Sequence, residues 1–306
     1  MPVINIGSGQ TYATRQIAWD TLSGSDQGGT VEAKLFGDDT STFTASGVAS
    51  NPWVFEDNTT VYDFTAATED LLPELNSTII QSENVTFRNV LFSSSNNFVV
   101  TLTISTDNVI IENYRLIAGT SSVGRSVTSV QPNTFVRNGV ESGGTDTSSI
   151  GFADGCNVNN LVIFGASDKG VEGAGSTGVH FITDMFSFNN VGADIESGTF
   201  TVATSATEDV SGGTLSGYTS AELVDFAGRD YRTKSTSFLA TAGTGGSFIG
   251  AALEASAADL VITASTPSYS FTVPDADVTL TGELSIVGST PSYSFTVPDA
   301  DVTLTG

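Results

Sequence analysis

The sequence predicts an all-β protein built as a parallel β-helix, in which one chain winds through stacked coils of about 24 residues. Two observations lead to this fold class. Gly numbers 32 among 306 residues while charged residues make only 14%, a balance that favours strands and turns over charge-laced helices. In addition, short apolar segments that end in Asn or Asp return at a nearly constant spacing through the middle of the chain.

The repeated segments mark the coils of the solenoid. They end at five positions whose successive spacings are 24, 25, 22 and 24 residues: Asn89, Asn113, Asn138, Asn160 and Asp184. Asn and Asp suit the corner of a coil because they tolerate the left-handed backbone region and bond to their own backbone. A coil of this length buries its apolar face only by stacking on its neighbours. We therefore expect residues 36–256 to form the β-helix.

Side chains at fixed distances from these corners predict which way each column faces. The residues two places before the corners are all apolar, which predicts a continuous inward column: Phe87, Ile111, Val136, Val158 and Ile182. One place before the corner stand Arg88, Glu112 and Arg137, which predicts an outward column whose charge alternates between coils. We expect this column to be a stack of surface ion pairs, each contributing little to stability.

The two ends of the chain differ from the coils. Residues 1–35 are predicted to cap the first coil. The segment STPSYSFTVPDADVTLTG occupies residues 265–282 and returns unchanged at residues 289–306. Its apolar residues alternate with small polar ones on both sides of a Pro-Asp turn, the pattern of a strand, a turn and a strand. Residues 257–306 are thus predicted to be two tandem 24-residue β repeats.

Two segments resemble a known family. The opening INIGSGQTYATRQIAWDTL resembles the entry segment of right-handed parallel β-helix proteins with pectate-lyase-like architecture. Residues 226–252, FAGRDYRTKSTSFLATAGTGGSFIGAA, resemble the closing coil of the same family, with Phe238 in place of the usual Pro. The resemblance covers residues 3–254 and implies a right-handed β-helix. The C-terminal units resemble short β repeats of tailed-phage structural proteins, and together with them the β-helix resembles proteins of the phage structural and tail-spike kind.

Composition excludes several classes of function. The formal charge of −24 excludes a general nucleic-acid binder, since nothing would neutralise a row of phosphates. No run of about 18 apolar residues predicts a membrane-spanning helix. The start MPVINIGSGQTY lacks the basic and apolar regions of a signal peptide, so we expect synthesis in a host cytoplasm and release by lysis. A single cysteine, Cys156, and a single histidine, His180, leave no basis for a disulfide framework or a metal centre, and we expect no cofactor.

Catalytic candidates are weak. Glycan cleavage uses two carboxylates on an accessible face. If the protein is an enzyme, the candidates are Glu112, Glu141 and Asp184, and Asp194 and Glu196 are further candidates. None forms a signature, and among 34 acidic residues proximity arises by chance. Cys156 and His180 share a column four places before the corners, where a packed inward position is the better interpretation than a thiol nucleophile. Whether the chain is an enzyme stays open, with a non-enzymatic role preferred.

Contact surfaces are easier to predict. Three places before the corners stand Ile110, Phe135 and Phe181, which alternation places outside the coil, so we expect contacts with a neighbouring subunit or with a loop of the same chain. The family resemblance favours a homotrimer. If the protein binds a glycan, the aromatic residues expected to stack on sugar rings are Trp53, Tyr114 and Tyr231. A structural role is the strong alternative, since Tyr231 belongs to the closing-coil motif and Tyr114 follows a corner.

The preferred hypothesis is a structural protein of a phage particle, located in the virion as a capsid decoration, head spike or tail fibre. Its partners would be other virion proteins and, if it attaches to the host, a surface glycan. The alternative is a polysaccharide depolymerase or glycan-binding adhesin of the tail-spike type. A third hypothesis, a surface protein of a salt-adapted microbe, fits the acidity.

Overall fold

The computed structural model describes residues 2–93, 102–104, 106, 108–117, 127–128, 134–143, 150–151, 157–172, 180–196, 200–210 and 212–255. Within these ranges the chain forms a parallel β-solenoid of about five turns with coils of about 24 residues, which confirms the predicted fold class. One compact unit covers Met1–Glu254. The tandem repeats predicted for residues 257–306 lie outside the described residues.

Strands dominate and helices are short. In chain order the strands are β1 (Val3–Ile6), β2 (Val31–Leu35), β3 (Phe43–Ala45), β4 (Trp53–Asp57), β5 (Glu74–Leu75), β6 (Thr78–Ile80), β7 (Val85–Ser93), β8 (Leu102–Ile104), β9 (Val109–Ile117), β10 (Val127–Thr128), β11 (Phe135–Ser142), β12 (Ile150–Gly151), β13 (Asn157–Phe164), β14 (Val171–Glu172), β15 (His180–Phe188), β16 (Phe200–Thr207), β17 (Leu215–Ser216), β18 (Leu223–Asp225) and β19 (Asp230–Thr233). The α-helices are α1 (Arg15–Leu22) and α2 (Ala66–Glu69), and 3₁₀ turns occupy Ser220–Glu222, Phe238–Ala240 and Thr244–Gly246.

Two parallel sheets form the walls of the solenoid. Over the described residues the larger sheet follows the order β1, β2, β4, β7, β9, β11, β13, β15, β16, β17, with β5 added beside β7. The smaller sheet runs β3, β6, β8, β10, β12, β14. From β6 to β15 the strands alternate between the smaller and the larger sheet, so each coil in this stretch contributes one strand to each wall, as expected of a solenoid.

The long strands of the larger sheet bend at the predicted corners. Backbone φ lies between 49° and 55° at all five: Asn89, Asn113, Asn138, Asn160 and Asp184. This is the left-handed region, where Asn and Asp are the non-glycine residues that fit best. The corner prediction is confirmed. Each of these strands, β7, β9, β11, β13 and β15, thus has a first half before its corner and a second half after it.

The predicted inward column is also confirmed. Its members are paired strand to strand and are at most 1% exposed: Phe87, Ile111, Val136, Val158 and Ile182. Towards the N-terminus the interior is aromatic. The ring of Trp19 on α1 lies 5.1 Å from that of Trp53, Trp53 lies 5.5 Å from Phe55, and Phe55 stacks on Phe87 at 4.8 Å. Helix α1 thereby packs on the first coils.

Residues 226–252, called here the closing segment, do not form a last coil. The last strand of the larger sheet in the described chain is β17, and the closing segment returns along the outer side of the second strand halves. The amide of Tyr231 donates to the carbonyl of Phe64 at 2.9 Å, and that of Gly250 to the carbonyl of Asp184 at 2.9 Å. These contacts connect the segment to coils far apart along the solenoid and correct the expectation of a closing coil.

The closing segment buries a second core outside the solenoid. On the sheet side this core contains Val140, Val162 and Phe186, and on the segment side it contains Tyr231, Leu239 and Ile249. All six are buried. The ring of Phe164 packs in the same layer against Phe226 at 4.9 Å and Tyr231 at 5.6 Å. At about 25 cal/mol per Å² of apolar area, this layer stabilises the later coils in addition to their interior.

Candidate functional site

Glu112, the first predicted carboxylate, lies in the outward charged column. The guanidinium of Arg137 donates from Nε and Nη2 to Glu112 Oε2, at 2.9 and 2.6 Å. In the sheet register Glu112 sits between Arg88 on β7 and Arg137 on β11. Its oxygen is thus engaged by a neighbouring coil, which is a structural role for this carboxylate.

The charged column is longer than the sequence predicted. Five neighbouring strands of the larger sheet each contribute one residue to it, and the sign of the charge alternates from strand to strand. We call these residues the charge ladder: Lys34, Glu56, Arg88, Glu112 and Arg137. Glu56 forms ion pairs with both Lys34 and Arg88. Burial acts to raise the pKa of Glu56, but hydrogen bonds and charge from Arg88 and Lys34 outweigh it and hold that pKa below its usual value. The predicted alternation of charge is confirmed.

Glu141, the second candidate, lies inside the solenoid. It is 0% exposed and pairs in register with Leu116 and Ile163, two interior residues. The hydroxyl of Tyr114 donates to its Oε1, while Oε2 has no hydrogen-bond partner among the described residues. Burial raises the pKa of Glu141 to about 8, despite the opposing effects of the Tyr114 hydrogen bond and the Arg115 charge. A substrate outside the coil does not reach this group.

The Tyr114 ring needs Gly139 beside it. The two residues are paired across β9 and β11, and a Cβ at Gly139 would lie 2.2 Å from Cε1 of Tyr114. Because only glycine leaves that space, the Tyr114 ring fits beside β11, where its hydroxyl donates to Glu141. This contact makes the Tyr114 and Glu141 pair part of the core.

Asp184, the third candidate, fastens the closing segment. It is 4% exposed, and its Oδ1 accepts the backbone amide of Thr244 at 2.7 Å. Its Oδ2 accepts the hydroxyl of Ser247 at 3.1 Å, and Thr204 donates to Oδ1 from the next coil. The preceding corner acts in the same way, since Asn160 Nδ2 donates to the carbonyl of Gly250 at 3.3 Å. Corner side chains therefore hold this segment in place.

An ion cluster that runs from the buried Glu69 to the exposed Asp70 fastens the other end of the closing segment, and the sequence did not reveal it. Glu69 of α2 is 4% exposed and pairs with Arg115 Nε at 3.3 Å and with Arg229 Nη1 at 3.1 Å. Arg229 also pairs with Asp70 at 2.8 Å. The Arg115 guanidinium lies 5.4 Å from the ring centre of Tyr231, a cation–π contact.

The remaining acidic candidates also have structural partners. Glu196 pairs with Lys169 at 2.7 Å. Asp194 is 2% exposed and accepts the backbone amides of Glu208 and Asp209 at 2.7 and 3.1 Å. Burial is the main cause that raises the pKa of Asp194. The inward position predicted for Cys156 in the column of His180 cannot be placed, because Cys156 lies outside the described residues.

The aromatic residues expected to bind sugars are buried, and that expectation is wrong. Exposure is 1% for Trp53, 0% for Tyr114 and 3% for Tyr231. Trp53 and Tyr114 line the interior, and Tyr231 belongs to the second core. An exposed aromatic pair occurs elsewhere: the ring of Phe238, 60% exposed, lies parallel to that of Tyr218 at 6.4 Å between centres.

The residues predicted to contact a subunit do face outward. Phe135 is 41% exposed, Phe181 is 49% exposed, and Ile110 is partly exposed. The sheet register runs from Ile110 to Phe135, then to Asn157, then to Phe181, so the apolar row has one amide in it. We call this row, on the outer side of the first strand halves, the phenylalanine face.

Two other classes of site receive no support over the described part of the chain. There, no three His, Cys, Asp or Glu side chains cluster in a way that could hold a metal ion. None of the helices described is long and apolar enough to cross a membrane.

Comparison with known proteins gives no match to a protein-family model, to a curated protein or to a solved structure.

Proposed function

We propose that this protein is a non-enzymatic structural component of a tailed-phage particle, a capsid decoration, head spike or tail fibre. The observation that carries the non-enzymatic part is the use of the carboxylates. Glu112 belongs to the charge ladder, Glu141 is sealed in the interior, and Asp184 holds the closing segment. Catalysis on a glycan needs carboxylates that the substrate can reach, and these three serve the fold.

A stiff projecting body fits such a role. Stacked aromatic rings fill the early coils, and a second core covers the outside of the later ones. Because each coil is held on both neighbours by a parallel sheet, bending the solenoid would break packing in several coils together. In this proposal the β-helix stabilises the particle or attaches it to the host surface, while residues 257–306, aided by the N-terminal cap, bind other virion proteins. The virion affiliation and the pectate-lyase-like, tail-spike kinship follow from the sequence resemblance alone.

Antibody-gold labelling of purified particles from the source culture tests this proposal. Label on the capsid shell or at the tail, lost when the gene is deleted, is the expected result. A truncation after residue 256 should abolish incorporation if the repeats are the anchor. Particles that carry no label contradict the proposal, and full incorporation of the truncated chain contradicts the anchoring role.

A glycan-binding adhesin is the second candidate, and one observation favours it. Phe238 and Tyr218 present parallel rings, with Phe238 well exposed, an arrangement that suits stacking on a sugar. Binding of host-surface glycan to the full chain should then weaken at least about tenfold in Phe238→Ala, since the aromatic platform is lost. Absence of binding to host glycan, or equal binding by the variant, rejects this site. A depolymerase would additionally release reducing ends or unsaturated sugars, and would do so through carboxylates other than the three above.

A further inference from the structure

The phenylalanine face is an outward sheet surface with an unusual composition. Phe135 and Phe181 remain 41% and 49% exposed, and Asn157 stands between them in the sheet register. Because adjacent parallel strands are about 4.8 Å apart, the two rings rise from backbone positions about 10 Å apart on a regular sheet. The closing segment packs on the second strand halves, whereas this face belongs to the first halves.

Charge distinguishes this face from the molecule as a whole. In the described residues, the row that continues the phenylalanine face and the charge ladder beside it carry three acidic and three basic residues on β2 to β11: Glu32, Glu56, Glu112, Lys34, Arg88 and Arg137. The outer surface of the first strand halves, which includes the phenylalanine face, is therefore balanced in charge, whereas the whole chain has a formal charge of −24. Two copies of so acidic a chain repel each other over most orientations. A balanced surface is where that repulsion is least, and its exposed phenyl rings are typical of the core of a protein interface.

We propose that the phenylalanine face is the contact surface between copies of this chain. A second copy is the occupant that the charges favour, because it brings the same neutral, apolar surface. A basic partner would gain more from the acidic remainder of the molecule than from a neutral face. Association would bury Phe135 and Phe181 at the centre of the contact, with the charge ladder beside them. This inference goes beyond the proposed function and is independent of it.

An isosteric charge variant tests the proposal with little risk to folding. Asn157→Asp adds one negative charge per copy at the centre of the face, and Asn58→Asp adds the same charge at an exposed loop position. The mass of the full chain is measured by sedimentation or light scattering over a range of concentrations. We expect a wild-type mass that is a multiple of 31.6 kDa. Asn157→Asp should raise the midpoint concentration of association at least about tenfold, with partial recovery in high salt, while Asn58→Asp behaves as wild type.

An apolar variant provides the second test. Replacing Phe135 and Phe181 together by Ser should leave a 31.6 kDa monomer, whereas Phe238→Ser, which removes an exposed ring elsewhere, should leave the oligomer intact. Circular dichroism and melting temperature confirm that each variant folds. A wild-type chain that stays monomeric at all concentrations overturns the proposal. Binding of a glycan or another protein to the face does not rescue it in that case. An oligomer that survives both face variants overturns it as well.

Discussion

The two halves of each long strand, before and after its corner, show how one sheet acquires two kinds of outer surface. On β15 both Phe181 and Phe186 point away from the interior, yet Phe181 is 49% exposed and Phe186 is 0% exposed. The difference lies in what covers them, since the closing segment packs on Phe186. Alternation along a strand therefore fixes the direction in which each side chain points. Whether an outward side chain is buried depends on a distant part of the chain.

The largest expected effect contrasts these two phenylalanines. Phe186→Ala should lower the free energy of unfolding by about 3–5 kcal/mol, because it removes a buried ring and leaves a cavity in the second core. Phe181→Ala should change it by less than about 1 kcal/mol, because half of that ring is already in water. Chemical denaturation of both variants measures the contrast. Equal losses would show that the two strand halves do not differ in the way described.

The pH dependence of stability tests whether Glu141 lies in the interior of the solenoid. Its pKa is raised to about 8 by burial, whereas an unfolded chain has a carboxyl pKa near 4.3. The folded state therefore binds the proton more tightly, so this group's contribution to stability is full at low pH and declines as the pH rises through that interval. We expect Glu141→Gln to gain stability over wild type by a few kcal/mol between about pH 5 and pH 8.

Denaturation curves at several pH values check this prediction. Glu112→Gln is the matched control, since Glu112 lies on the outer ladder, and it should keep the wild-type fall in stability across the interval. Parallel pH profiles for wild type and Glu141→Gln would contradict a protonated, interior Glu141.

Asp184 tests how the closing segment is fastened. Asp184→Ala leaves the amide of Thr244 and the hydroxyl of Ser247 without their acceptor, which should cost about 2–3 kcal/mol. Asp184→Asn keeps one carbonyl acceptor and the tolerance for a left-handed corner, so its loss should be less than half as large. Limited proteolysis should cut the alanine variant first near residue 244. Unchanged cleavage and stability in that variant would argue against the corner as a fastening point.

Gly139 gives the smallest effect. Gly139→Ala places a methyl group 2.2 Å from the Tyr114 ring, and we expect a loss of about 1–2 kcal/mol from overpacking. Gly24→Ala, where nothing lies within 4 Å of the added Cβ, is the control and should be neutral within about 0.5 kcal/mol. Thermal unfolding compares them, and a loss in Gly24→Ala equal to that in Gly139→Ala would remove the steric explanation.

The first strand halves could be predicted from sequence because their signals are local. A corner such as Asn113 recurs at one coil length, and Ile111 precedes it by a fixed two places. The alternation of Arg88, Glu112 and Arg137 follows from the same count. The backbone conformation and the strand register of the first halves follow from the repeat itself. Each repeat has Asn or Asp at the corner, and inward and outward residues alternate before it.

The side-chain directions in the second strand halves do not follow from the same count, because alternation restarts at the corner. The corner residue takes a left-handed conformation and shifts the count by one, so Val136 and Glu141 both face inward although they are five places apart. A count continued straight through the corner would place Glu141 on the outside, contrary to the structure. Continuous apolar runs after the corner, such as residues 161–164, were the available signal, because a strand buried on both faces loses its alternation.

The contacts of the closing segment could not be predicted from local sequence patterns. The pairing of Arg229 with Glu69 spans 160 positions, and no periodicity connects those two residues. The conformation of the segment depends on the finished solenoid, whose corners supply Asn160 and Asp184 as partners. Only the assembled fold brings these groups together, which is why a resemblance to a closing coil gave the wrong placement.

Hydrogen exchange of the full chain, read by mass spectrometry, tests most directly whether the closing segment covers the second strand halves. The account predicts that the amides of Tyr231, Ile249 and Gly250, which donate to Phe64, Leu239 and Asp184, exchange as slowly as those within β13. Fast exchange at these three amides, with β13 still protected, would contradict a second core on the outside of the solenoid.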